Sequence, residues 1–213
     1  MLKNMMLSAL LLGIFAIVGT FMVAYTAENT SDRIARNERE ALLQNLHALL
    51  PRDRHSNDIF EDRITVRDPT LLGTSRPVSV YRARKDDDPV AAVLSPVAPE
   101  GYGGAIRLLV AVNYDGTLAG VRVLSHKETP GLGDKIETSR SDWIHEFEGK
   151  SLSNPKPENW KVKKDNGAFD QFTGATITPR AVVDAVHKTL RYFKQHRDEL
   201  FEKPAITEGE SNE

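Results

Sequence analysis

Residues 5–27, MMLSALLLGIFAIVGTFMVAYTA, carry no charged side chain over 23 consecutive positions. A bilayer core about 30 Å thick is crossed by about 20 residues rising about 1.5 Å each, so this run is long enough to span it. The competing reading is a cleaved signal peptide with Lys3 as its basic start. Such a peptide has an apolar core of ~7–15 residues and a small-x-small cleavage site. This run is longer, and Tyr25 interrupts the best candidate site. The pattern therefore predicts an uncleaved N-terminal anchor, with nearly the whole chain on one side of the membrane. Lys3 and the amino terminus favour a cytoplasmic N-terminus, whereas Arg33, Arg36 and Arg39 beyond the run pull the other way, so charge leaves the orientation open.

The remainder is hydrophilic, since the whole chain still has a mean hydropathy of −0.39, which excludes a polytopic membrane protein. The 213 residues include no cysteine, so a disulfide scaffold, a thiolate zinc site and an iron–sulfur cluster are excluded. The 28 Lys and Arg nearly balance the 30 Asp and Glu, and the net charge of −2 gives no reason to expect nucleic-acid binding. At roughly 100–200 residues per domain, the length accommodates one globular domain.

Residues 31–50 place Ile34, Ala35, Leu42, Leu46, Leu49 and Leu50 at helical spacing, and Pro51 ends the pattern, predicting a stalk helix. Residues 51–62 read as loop. Short apolar runs at 64–66, 78–83 and 91–98 read as strands. The clearest pair is 105–114 with 118–125, joined by the turn signal Asp115-Gly116. Residues 142–148 read as a short helix, 149–159 as loop and 160–163 as a further strand. The last helix has Thr178 as its N-cap and Pro179 in its first turn. Val182, Val186, Leu190, Phe193 and Phe201 mark its apolar face, and a polar tail follows Pro204. The chain has no internal repeat.

The six histidines form no metal-binding spacing, and the chain has no GxGxxG, Walker or G-x-S-x-G motif. His187 falls among helical positions and reads as structural. Two segments stand apart. In the first, 126–136, Gly131 and Gly133 bracket Leu132, giving either close backbone approach to a ligand or a plain turn. In the second, 170–186, Thr173, Thr176 and Thr178 surround Gly174 just before a helix. Free amides and the dipole at a helix N-terminus suit a phosphate, with Arg180 able to add charge. The alternative is an ordinary cap and loop.

The segment Asp170-Gln171-Phe172-Thr173-Gly174-Ala175-Thr176 resembles the D-x-x-(S/T)-G-A-T motif of FMN-binding domains. Upstream, Glu128-Thr129-Pro130-Gly131-Leu132-Gly133 is similar to that family's E-T-P-G-L-G flavin-contact segment. The resemblance covers roughly residues 100–200. With the single span and stalk, it extends to the G subunits of Rnf/Rsx electron-transport complexes. The C subunit of sodium-pumping NADH:quinone reductase shares the motifs but is usually longer. What the resemblance implies is FMN bound covalently by a phosphoester at Thr176. The other cofactor-binding residues it implies are Glu128, Thr129, Gly131, Leu132, Gly133, Lys135, Asp170, Thr173, Gly174, Ala175 and Thr178.

A Thr hydroxyl with no neighbouring base is a poor nucleophile, so attachment requires help. The family implies a magnesium-dependent flavin transferase that takes FMN from FAD. It also implies a one-electron relay among the membrane and iron–sulfur subunits of a ferredoxin/NAD complex coupled to ion movement, or of one that reduces a redox-sensing regulator. The expected topology is an inner-membrane protein with a cytoplasmic N-terminus and a periplasmic domain. The fold class expected is α+β, with an antiparallel sheet and flanking helices. Its expected organisation is anchor 1–28, stalk and linker 29–62, FMN-binding domain 63–203 and disordered tail 204–213. Other classes left open by the residues are a flavin-free anchored scaffold and a flavin reductase released by signal cleavage.

Overall fold

The computed structural model describes residues 2–205; the expected disordered tail lies, from residue 206 on, outside them. The chain divides into a helical unit through Leu43 and a globular unit from Gln44.

Helix α1 (Leu2–Leu49) is continuous and takes in both the anchor and the stalk helix read from the sequence. No Pro or Gly breaks the polar stretch after residue 26. The hydroxyls of Thr26 and Thr30 donate to the carbonyls of Met22 and Thr26, each at 2.7 Å, so they bond back within the helix instead of capping a new one. Its portion Leu2–Thr26 has a mean hydropathy of 2.4 and no buried residue, so it is long and apolar enough to cross a membrane.

The globular unit is built on a wholly antiparallel six-stranded sheet. Strand β1 (Arg63–Val66) pairs with β2 (Val78–Lys85), and β2 with β3 (Asp88–Leu94). Between β1 and β2 lies the short helix α2 (Pro69–Leu72), capped by Asp68 through bonds to the amides of Thr70 and Leu71. The long central strand β5 (Gly104–Asn113) takes β3 and then β4 (Val97–Gly101) along one edge and β6 (Leu118–Ser125) along the other. The apolar run 91–98 is thus cut at Ser95-Pro96, because Pro cannot donate to a ladder. The register against β5 nevertheless continues across the cut, and Leu108 donates to the Pro96 carbonyl at 3.0 Å.

Alternation on β5 sends Ile106, Leu108, Val110 and Val112 to the main core. There they meet Val182, Val186, Leu190 and Phe193 of helix α3 (Ile177–Glu202), the stripe predicted from helical spacing. On the opposite face, Gly120 of β6 sits beneath the last turn of α1. A Cβ added at Gly120 would lie 2.9 Å from Leu49 Cδ2, so the missing side chain lets the helix end seat there.

The far end of α3 is held by β2. Buried Arg82 pairs with Asp62 and donates to the carbonyls of Leu200 and Lys203. Arg84 also pairs with Asp62, at 2.8 Å, and donates to the Phe201 carbonyl at 2.6 Å. The two guanidinium groups thereby satisfy carbonyls that a helix C-terminus leaves bare, and their positive charge opposes its dipole.

The expected strand at 160–163 is absent. The chain there makes an isolated bridge between Val162 and Phe169, flanked by the 3-10 turns Pro157–Asn159 and Lys163–Asp165. Its side chains join an aromatic cluster instead of a sheet edge. Phe147 stacks on Phe169 at 4.7 Å, and Trp143 meets Phe172 edge-on at 5.1 Å. Residues 142–148, expected as a short helix, form the 3-10 helix Trp143–Phe147 that carries two of these rings.

Candidate functional site

Three turns converge at the start of α3. The first is Thr129-Pro130-Gly131-Leu132, closed by the Leu132 amide on the Thr129 carbonyl at 3.1 Å. Pro fits its second position, and Gly131, at φ +77°, supplies the left-handed third. The second turn, Phe172-Thr173-Gly174-Ala175, repeats this plan with Gly174 at φ +81° and the Ala175 amide on Phe172 at 3.1 Å. The two loops face each other: a Cβ on Gly174 would stand 3.6 Å from Leu132 Cδ2. The third is the β4–β5 hairpin tip, Gly101-Tyr102-Gly103-Gly104. A Cβ on Gly103 would overlap the Lys127 carbonyl at 1.8 Å, so only glycine lets the tip press against the segment that leads from β6 to Glu128.

Glu128 ties these pieces together. It is 5% exposed; Oε1 accepts the Gly103 amide at 2.9 Å, and Oε2 accepts the Thr178 hydroxyl in a short hydrogen bond. His126 accepts the Glu128 amide on Nδ1 at 3.0 Å, which leaves Nε2 to donate to Glu137 at 2.7 Å. The geometry thus fixes the ring's tautomer.

The turns enclose a cleft of about 270 Å³ lined by Tyr102, Glu128, Thr129, Leu132, Gly133, Gly174, Ala175, Thr176, Ile177 and Thr178. Seven of the predicted site residues besides Thr176 therefore meet in one place, namely Glu128, Thr129, Leu132, Gly133, Gly174, Ala175 and Thr178. Gly131, Lys135, Asp170 and Thr173 do not line it. Gly131 shapes its turn from outside, and Lys135 accepts the Ser141 hydroxyl on its carbonyl at 2.6 Å. Asp170 is an anchor: its carboxylate pairs with Lys163, its carbonyl accepts the Trp143 indole at 2.9 Å, and its amide donates to Glu146 at 3.1 Å. Burial pushes the Glu146 carboxyl above its ordinary range.

The structure separates the three threonines. Thr173 is exposed on its turn. Thr178 is completely buried, and its hydroxyl goes to Glu128. The sequence assigned Thr178 as N-cap, but α3 begins earlier, at Ile177, with Thr176 in the cap position. Thr176 is half-buried in the cleft, and its side chain makes no capping bond. Among the described residues, the amides of Thr176, Ile177 and Thr178 also find no acceptor. Arg180, read as a possible phosphate partner, is instead held by Asp165 through two bonds of 2.6 Å. Gly133 likewise has an internal reason to lack a side chain: a Cβ there would lie 2.7 Å from Glu128 Oε2 and 2.8 Å from Thr178 Oγ1.

Sequence reasoning missed Tyr102 and Ile177, both on the cleft rim. The run of glycines around Tyr102 was the available signal. His187, read as structural, stacks on Trp160 at 5.1 Å with the rings nearly parallel, and burial lowers its pKa.

This arrangement fits a phosphate carrying an apolar ring. Unfilled amides at a helix N-terminus stand beside a free hydroxyl, and the rim is apolar. No cluster able to hold a metal ion occurs among the described residues.

Comparison with known proteins agrees with the geometry. An FMN-binding domain family model matches residues 101–191, and a model of the RnfG N-terminal region matches residues 1–49. The G subunit of the ion-translocating oxidoreductase complex of Pseudomonas aeruginosa (strain UCBPP-PA14) is 50% identical over 198 residues, covering 93% of this chain and 92% of that protein. The protein of the same name from Shewanella piezotolerans is 45% identical over 208 residues, 98% of each chain. That from Vibrio cholerae O395 is 44% identical over 210 residues, 99% of this chain and all of its own.

Proposed function

The chain belongs to the family of G subunits of ion-translocating oxidoreductase complexes, and on that premise we propose that it carries FMN covalently on Thr176 and relays electrons between other subunits of such a complex. The observation that carries this reading is the division of labour among the threonines. Of Thr173, Thr176 and Thr178, Thr176 alone combines a position in the cleft with a hydroxyl free of a structural bond.

Attachment is a phosphoryl-group transfer. The Thr176 Oγ–phosphorus bond forms as the pyrophosphate bond of FAD breaks, AMP leaves and the hydroxyl gives up its proton. This chain places no base against Thr176 among the described residues, so the reading assigns that work to a separate flavin transferase. The slim Gly174-Ala175 approach suits access by such an enzyme.

Once attached, the phosphate retains a negative charge, which the free amides of Thr176, Ile177 and Thr178 would hold and the α3 dipole would favour. Leu132 and Ile177 would pack against the ring. The flavin, when bound, supplies one-electron redox chemistry, and this chain supplies position and surroundings. A covalent link suits a relay because the carrier cannot diffuse away between transfers.

The anchor and domain are read as an inner-membrane protein with the domain on the periplasmic side. The resemblance motifs outweigh the three arginines that follow the span.

The test is Thr176→Val in chain coexpressed with a flavin transferase. The wild type should show a fluorescent flavin band on a denaturing gel, and the variant none. A band of equal strength in Thr176→Val refutes the assignment.

A further inference from the structure

The globular unit exposes few large apolar side chains, and they are not scattered. Among its described residues these are Tyr102 at 69%, Leu132 at 42% and Ile177 at 47%, and all three line the same cleft. Isolated exposed apolar residues are ordinary, but a gathering on one cleft marks a surface shaped to be covered.

Tyr102 is the least explained of the three. Leu132 belongs to the turn that closes one wall, and Ile177 opens α3. Tyr102 stands at a hairpin tip, and neither its hydroxyl nor its ring makes a hydrogen bond or ring contact among the described residues. The tip itself is tightly fixed. Gly103 donates to Glu128, and Gly101 and Gly104 pair across the hairpin. A Cβ on Gly101 would lie 2.8 Å from Glu128 Oε1, so this backbone too is packed against the cleft floor. The chain therefore builds a rigid, glycine-rich mount that carries an unengaged aromatic ring at the mouth of the cleft. The same Glu128 that fixes the mount also fixes Thr178, two residues from the proposed attachment point.

We propose that Tyr102 is a cofactor-contacting residue: its ring lies against the isoalloxazine of the flavin on Thr176 and holds it in the cleft between Leu132 and Ile177. The inference rests on the functional reading above and goes beyond it, because neither sequence motif contains Tyr102. Offset stacking of two flat ring systems accounts for an aromatic residue here, and a rigid hairpin keeps the ordering entropy low.

The test uses emission from the covalently loaded full-length chain. A tyrosine stacked on a flavin quenches it by lending an electron to the excited ring, which returns without net chemistry. The two tryptophans are buried in the aromatic cluster and do not line the cleft. Native fluorescence per flavin, compared with the same sample unfolded in denaturant, should be low in wild type and rise several-fold in both Tyr102→Leu and Tyr102→Phe. Phenylalanine is too hard to oxidise to quench, but it still stacks. The visible band of Tyr102→Phe should therefore stay native, while that of Tyr102→Leu shifts toward free flavin. Unchanged quenching in Tyr102→Leu overturns the proposal alone. Wild-type chain with no covalent flavin overturns the functional reading and this proposal with it.

Discussion

Removing the Glu128 carboxylate should loosen the cleft from its floor. Its two oxygens accept from Gly103 on the β4–β5 hairpin and from Thr178 on α3, and neither donor has another acceptor among the described residues. Glu128→Ala strands both donors. A buried donor without an acceptor costs about 1–3 kcal/mol, so the loss could reach roughly 6 kcal/mol. Glu128 lines a cleft that water can enter, which favours the lower half of that range, about 2–4 kcal/mol. Thr178→Val removes one donor at nearly constant volume and should cost about 1–3 kcal/mol. Because the two residues share one bond, the double variant should cost less than the two singles combined, with a coupling of roughly 0.5–3 kcal/mol. Trp143 and Trp160 are the two tryptophans of the chain, and both lie buried in the globular unit, so their emission reports its unfolding. The assay is urea denaturation of the detergent-solubilised chain. Losses below about 0.5 kcal/mol in both single variants, the level of a neutral surface change, would refute the hub.

His187 gives a pH prediction. Burial against Trp160, followed by the charge of Arg191, lowers its pKa from 6.5, so its folded pKa is depressed relative to the unfolded chain. The unfolded state then takes up the proton first, and the stability contribution present above pH 6.5 is lost as pH falls through the folded value. His187→Phe, which preserves the stacking, should flatten this part of the stability–pH curve; an unchanged slope would place the dependence elsewhere. For topology, a phosphatase active only outside the cytoplasm, fused after Phe201, should be active. An inactive fusion made at normal levels would put the domain inside.

The sequence resolved best where side-chain period and burial agree. The α3 stripe of Val182, Val186, Leu190 and Phe193 was legible because its amphipathic spacing is what packs on the sheet. The β5–β6 hairpin was legible from Asp115-Gly116, with Gly116 at φ +89°. The β2–β3 hairpin was less so, because its turn places Asp86 and Asp87 in the left-handed region where Asn-Gly is the stronger signal. Arg82 lies in the run 78–83 that read only as a strand, yet its side chain is buried beneath the end of α3. Its partners there are backbone carbonyls far along the chain, which no local pattern encodes. The same holds at the cleft. Thr178 followed by Pro179 looked like a helix start, but the hydroxyl answers to Glu128, far upstream. The glycines of both motifs were conspicuous, whereas the reason for Gly133 lies in that long-range bond.

The central claim is the flavin ester on Thr176, and a peptide mass measurement tests it most directly. Trypsin should release residues 165–180, a peptide that contains Thr173, Thr176 and Thr178 together. In chain matured with a flavin transferase, that peptide should gain the mass of FMN less one water, and fragmentation should place the addition on Thr176. An unmodified peptide, or an addition mapped to Thr173 or Thr178, would contradict the account.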